Sequence, residues 1–172
     1  MARGGRWDRL GQWRRAAADY RAALARRPDS FSANHALALL LAEEPNRGDP
    51  EEAVQRAQFA ADLLHSPWGS NYRQTLGLAL YRAGRFAEAA TVAESIYRLP
   101  RAGTSRLVLA MSRQRLGQAG AARAALAEAV RWRAAQTDFR PDRAAAFDRL
   151  LREAQSVLAE ALPDLPADVF AR

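Results

Sequence analysis

Apolar residues return at three- and four-residue steps along most of this chain, the period of helices that bury one face. Trp13, Ala16, Tyr20, Ala23 and Leu24 make one such stripe, and Leu37, Ala38 and Leu41 begin another. Ala122, Leu126, Ala129 and Val130 make a third. A longer stripe runs through Phe147, Leu150, Leu151, Ala154, Val157, Leu158 and Ala161. Helix-ending residues stand between the stripes. Gly84 comes after Leu80-Tyr81-Arg82-Ala83, where a glycine can enter the left-handed region and close a helix. Asp49 is placed to cap the next helix, Pro50 fits its first turn, and Glu51 and Glu52 suit the positive end of its dipole. Pro141 opens the last helix and Leu162-Pro163-Asp164-Leu165-Pro166 stops it. The pattern predicts an all-α chain.

The turn glycines keep a period of their own. Gly11, Gly48, Gly84 and Gly117 are spaced by 37, 36 and 33 residues, and each is followed five residues later by Ala16, Ala53, Ala89 or Ala122. A period of about 34 residues marks a helix-turn-helix unit that stacks into a solenoid. An insertion at Glu44-Pro45-Asn46-Arg47 accounts for the longer spacing before Gly48. Phe86 can fill the space between the two helices of its unit. Ala89 is small where they must approach, and Gly77 is expected to serve the same close approach.

The Leu76-Gly77 and Leu37-Ala38 pairs, the turn glycines, Phe86, the alanines after it and Pro28 together resemble the tetratricopeptide repeat family. The likeness covers roughly residues 11–132. Pro67 and Pro100 are displaced from the family's closing proline, and Ala57, Ala93 and Ala119 stand where it prefers aromatics. The resemblance implies a right-handed superhelical solenoid. A half repeat would span about 6–28, helix pairs about 30–65, 68–99 and 103–132, and a linker, capping helix and tail 133–172. In texture and helix order the chain is also similar to repeat regions of planctomycete-type multidomain kinase or beta-propeller proteins, a likeness that transfers no catalytic residue.

Composition narrows the function. The net charge is +7, and every basic residue is Arg. Residues 1–27 hold eight Arg against Asp8 and Asp19, so the rest of the chain is nearly neutral. A nucleic-acid reader would carry a basic stripe across all its repeats. RNA or phosphate binding through the Arg-rich end is therefore the second reading, and self-association the third. There is no cysteine, no apolar run long enough to span a membrane and no secretory leader, which together suggest a cytoplasmic protein without membrane contact. His35 and His65 have no ligand spacing for a metal. No nucleophile elbow or phosphate loop is present. No cofactor, metal or catalytic residue is expected, and the chain does not read as an enzyme.

The remaining candidate is a groove for a protein or peptide partner. In the family the first helix of each pair lines the concave face. On this chain that implies His35 and Leu39, then Asn71, Gln74, Leu78, Tyr81 and Arg82, then Thr104, Leu107, Met111, Gln114 and Arg115. Leu78, Leu107 and Met111 would hold side chains, and Asn71 and Gln74 would hold backbone. Arg82 and Arg115 each stand two residues before a turn glycine and would fork onto a partner's carboxylates. The competing reading places Leu39, Leu78 and Met111 in the core and each Arg at a solvated helix end. The family's chaperone-tail readers use a Lys and Asn clamp, which a chain without Lys lacks. Trp7 and Trp13 are a possible N-terminal contact. Either a short N-terminal turn covers them, or they meet an upstream repeat or a partner.

Overall fold

A computed structural model describes residues 12–43, 45, 48–62, 70–99, 102–137 and 140–160. Among them lie eight helices and no strand. They are α1 (Trp13–Arg26), α2 (Phe31–Ala42), α3 (Pro50–Asp62), α4 (Ser70–Arg82), α5 (Phe86–Ile96), α6 (Gly103–Arg115), α7 (Ala119–Ala134) and α8 (Pro141–Glu160).

The turns form as their residues require. Gly84 and Gly117 hold φ of 74° and 76°. In each, the glycine N–H and the N–H after it bond back into the last helical turn, to Tyr81 and Leu80 in one case and Gln114 and Arg113 in the other. This double closure satisfies carbonyls that a helix end leaves open, and a side chain at the glycine would be strained. Gly48 also has positive φ, at 101°. Asp49 caps α3, its Oδ1 accepting the Glu51 N–H at 3.0 Å. Asn34 is buried and fully used. Its Nδ2 donates to Pro28 O and Ser30 O, and its Oδ1 accepts from Arg56, which ties the α1–α2 turn to α3.

Each helix from α2 to α7 packs closely on the one before it, while α2, α4 and α6 also touch in series as an inner layer. The outer helices meet this layer through alanines. Ala16, Ala53, Ala57, Ala89, Ala93, Ala122 and Ala129 are all buried. Leu37, Leu107, Val108, Leu109 and Met111 supply the largest fully buried side chains of the core. Ala57 and Ala93, where the family prefers aromatics, are buried, and the order of packing is kept.

The last helix breaks the stacking rule. α8 leans mainly on α6 and only lightly on α7. Its Phe147 ring meets Trp132 near the start of α6, and Glu160 reaches Arg115 at the end of α6. It therefore runs beside α6 in the same direction, shifted onto the inner layer. The capping helix covers the array from its inner side as well as its end.

Two glycines in the inner layer have opposite reasons to be there. A Cβ built on Gly77 meets Val108, Val92 and the Ala89 carbonyl at 3.7–3.9 Å, ordinary contact distances, so the helices do not need a glycine to approach. The close approach expected at Gly77 lies instead at Gly103, where a Cβ would stand 2.2 Å from the Trp132 ring. Gly77→Ala is expected to stabilise the protein by about 0.5–1 kcal/mol through lower unfolded-state entropy. Gly103→Ala forces the indole aside and is expected to cost about 1–3 kcal/mol. Thermal melts of both variants check this; midpoints that move the same way would refute the placement of Trp132.

Candidate functional site

The inner layer presents one stripe from each helix. On α4 the stripe is Asn71, Gln74, Thr75, Leu78 and Arg82, and on α2 it is His35, Leu39 and Glu43. A cleft of about 510 Å³ lies between these two helices and α8. Its floor and walls include Leu39, Leu78, Trp132, Phe147 and Leu150, with Thr104 at one side. Arg140, Arg143 and Arg149 line it from the α8 side, and Glu43, the residue that ends α2, lines it as well. Arg140 is engaged by Asp142 at 3.1 Å. The result is an apolar trough with amide groups on one wall and guanidinium groups on the other, which suits an extended polypeptide carrying an acidic residue.

His35 is held as a neutral group. Its ring stands edge-on to Tyr72, with centroids 4.5 Å apart, and its Nε2 lies 3.0 Å from Thr75 Oγ1. Thr75 donates its single hydroxyl hydrogen to Asn71 O, so the histidine Nε2–H is the donor in this pair. Burial pushes the ring down to about 4, so it carries no charge at neutral pH. It shapes the cleft without adding to the positive charge of the rim.

The residues expected to form the groove divide into four groups. Asn71, Gln74 and Leu78 line the cleft together with His35, Leu39 and Thr104. Tyr81, Leu107 and Met111 do not reach it. Tyr81 is buried against Phe86 at a centroid distance of 5.4 Å. Leu107 and Met111 are completely buried. They lie between Thr104 and Arg115 on the stripe whose two ends meet α8, so α8 covers them. Gln114 is half-buried and outside the cleft lining.

Arg82 and Arg115 do point the same way, and each meets a carboxylate belonging to this same chain. Arg82 forks onto Glu153, with Nη2 to Oε2 at 2.7 Å, and its Nε donates to Ala42 O at 3.0 Å. Arg115 Nη2 stands 3.9 Å from Glu160 Oε2. Sequence reasoning placed the arginines without naming their partners. The readable signal was Glu153 and Glu160, two helical turns apart beside the apolar stripe of α8. It also missed Trp132 and Phe147, the far wall of the cleft.

At the other end, Trp7 lies outside the described residues. Trp13 is half-buried, packs on the core and lies under the Arg14 guanidinium at 5.1 Å. Its ring comes within 3.8 Å of the Cβ position of Gly48, so it packs beside the turn that precedes α3. Of the Arg excess, Arg21 is tied to Glu52, which holds that carboxyl below its usual range. Among the described residues no group of three or more acidic or histidine side chains is arranged for a metal, and no helix is long and apolar enough to cross a membrane.

No family model matches the chain, and no curated protein matches it. Nothing in these comparisons supports the likeness to kinase- or propeller-associated repeats. Among solved structures it is similar to one described as the crystal structure of MamA, a tetratricopeptide-like helical protein, with a TM-score of 0.62 and 16% identity. The match covers 94% of this chain and 94% of that one. At that identity the likeness carries the fold alone, and the fold is an all-α solenoid of tetratricopeptide type.

Proposed function

We infer that this chain is a protein-interaction scaffold module that takes an extended segment of a partner protein into the cleft between α2, α4 and α8. The cleft itself carries the reading: an apolar trough beside paired amides and a guanidinium edge. Asn71 and Gln74, whose side chains bond each other at 3.4 Å, would exchange that contact for the partner's backbone. Leu39 and Trp132, above the buried Leu78 and Phe147, would receive an apolar side chain, and Arg143 would face an acidic one. This role needs no cofactor and assigns no catalysis.

Selection from a random peptide library displayed against the full chain tests it. Enriched peptides are expected to combine one large apolar residue with at least one acidic residue. Their binding should fall by about tenfold or more in an Asn71→Ala, Gln74→Ala variant, the loss of two hydrogen-bonding groups worth about 0.5–1.5 kcal/mol each. Peptides with no such composition, or equal binding by the variant, would refute the cleft as the binding site.

A further inference from the structure

We propose that the inner-layer surface beneath α8 is itself a binding site for an amphipathic helix of a partner, and that α8 is its exchangeable occupant within the chain. The partner helix would carry two carboxylates seven residues apart, beside an apolar stripe with an aromatic near its N-terminal end. That is the chemistry α8 presents: Glu153 and Glu160, with Phe147, Leu150, Ala154 and Val157 buried between and before them. The receiving surface is built to match. Arg82 and Arg115 occupy equivalent places in successive repeats, and the fully buried Leu107 and Met111 lie on the stripe that α8 covers.

Three observations separate α8 from the solenoid proper. It departs from the packing order that α2 to α7 keep, leaning on α6 rather than on its predecessor α7. Ion pairs fix it along its length, Arg133–Asp148, Arg82–Glu153 and Arg115–Glu160, and two of the three are substantially open to solvent. Its apolar stripe is also thin, since Ala154 sits at its centre between Leu150 and Val157. Beside the Arg82–Glu153 pair, a second hollow of about 640 Å³ opens between Leu41, Tyr81, Phe86 and Val157. Such a helix is a contact added to a finished array, and ion pairs that hold it can be competed for by charge. The exchange goes beyond the cleft reading and does not require it, because the surface lies under α8 rather than beside it.

The test uses the full chain and a fluorescein-labelled synthetic peptide with the sequence of residues 140–160. The host is compared with its Glu153→Ala, Glu160→Ala variant, which weakens the internal helix and leaves both arginines in place. Removing the internal competitor is expected to tighten peptide binding by about tenfold, because the open surface becomes more populated. A peptide with Arg at both glutamate positions should bind neither host. Equal affinity for the two hosts, or equal binding of the charge-reversed peptide, would overturn the exchange. Amide hydrogen exchange on the unaltered chain decides the matter even if the variant folds poorly. α8 is expected to exchange before α4 and α6, as a locally opening unit. Exchange of α8 only together with α4 and α6 would overturn the proposal. Library selection against Asn71 and Gln74 reads the cleft and this titration reads α8, so either can fail without the other.

Discussion

Arg82→Ala is expected to lower the unfolding free energy by about 3 kcal/mol, whereas Arg115→Ala should change it by no more than about 0.5 kcal/mol. The two residues occupy the same place in successive repeats, yet their surroundings differ. The Arg82 side chain is 8% exposed and that of Glu153 is 23% exposed. Truncating Arg82 strands a carboxylate with little water to replace its partner, and it removes a donor from the Ala42 carbonyl at the end of α2. A half-buried charge left without its partner costs more than the pair contributes, and the Ala42 and Glu43 carbonyls lose their donor as well, which is why the loss is large. Arg115 is 44% exposed and Glu160 62% exposed, so water and salt stand in for either partner. Urea melts of the two variants at low and high salt check the contrast. Equal midpoints for the two would mean that α8 does not close over Arg82 as described.

The sequence made legible what local chemistry decides. Gly84 and Gly117 announced their turns because a positive φ favours glycine, and Asp49 announced α3 because a side-chain oxygen there accepts the Glu51 N–H. Periodicity then carried the fold, since equivalent positions in stacked units face the same way. That rule put Asn71, Gln74 and Leu78 on one wall and Arg82 and Arg115 on one side. It did not reveal burial. An amphipathic stripe says that α8 hides one face, and it does not say against what. Leu107 looked available for a ligand, and Met111 could be read as ligand-facing or core, because nothing in α6 itself shows that α8 covers them. The Gly103–Trp132 contact was equally hidden, for it joins residues of two helices and depends on how α6 and α7 cross. Gly77 misled for the opposite reason: a glycine inside a helix suggests crowding, and here there is room for a methyl group.

Phe147→Ala is expected to cost about 3–5 kcal/mol, the range for emptying a buried aromatic site, and to free α8 before the rest of the array unfolds. Phe147 is 3% exposed, its ring lies 5.4 Å from that of Trp132 at 44°, and Trp132 in turn rests on Gly103. This contact joins the starts of α6 and α8 and the end of α7, and it forms one wall of the cleft. Without the ring, α8 keeps Leu150, Val157 and its ion pairs, which together hold it weakly. Arg143, Arg149 and Arg152 then become open to trypsin in a helix that no longer holds its place. Phe59 on α3 provides the control, being of the same chemistry and 37% exposed. Phe59→Ala should cost less, about 1–2 kcal/mol, and show unchanged cleavage. Trypsin digestion under native conditions, followed by mass spectrometry, reads the first cuts. Early cuts within 143–152 in the Phe147 variant alone are the expected result. Cuts spread evenly over all helices would mean that α8 is an inseparable part of the core and that its removal dismantles the solenoid.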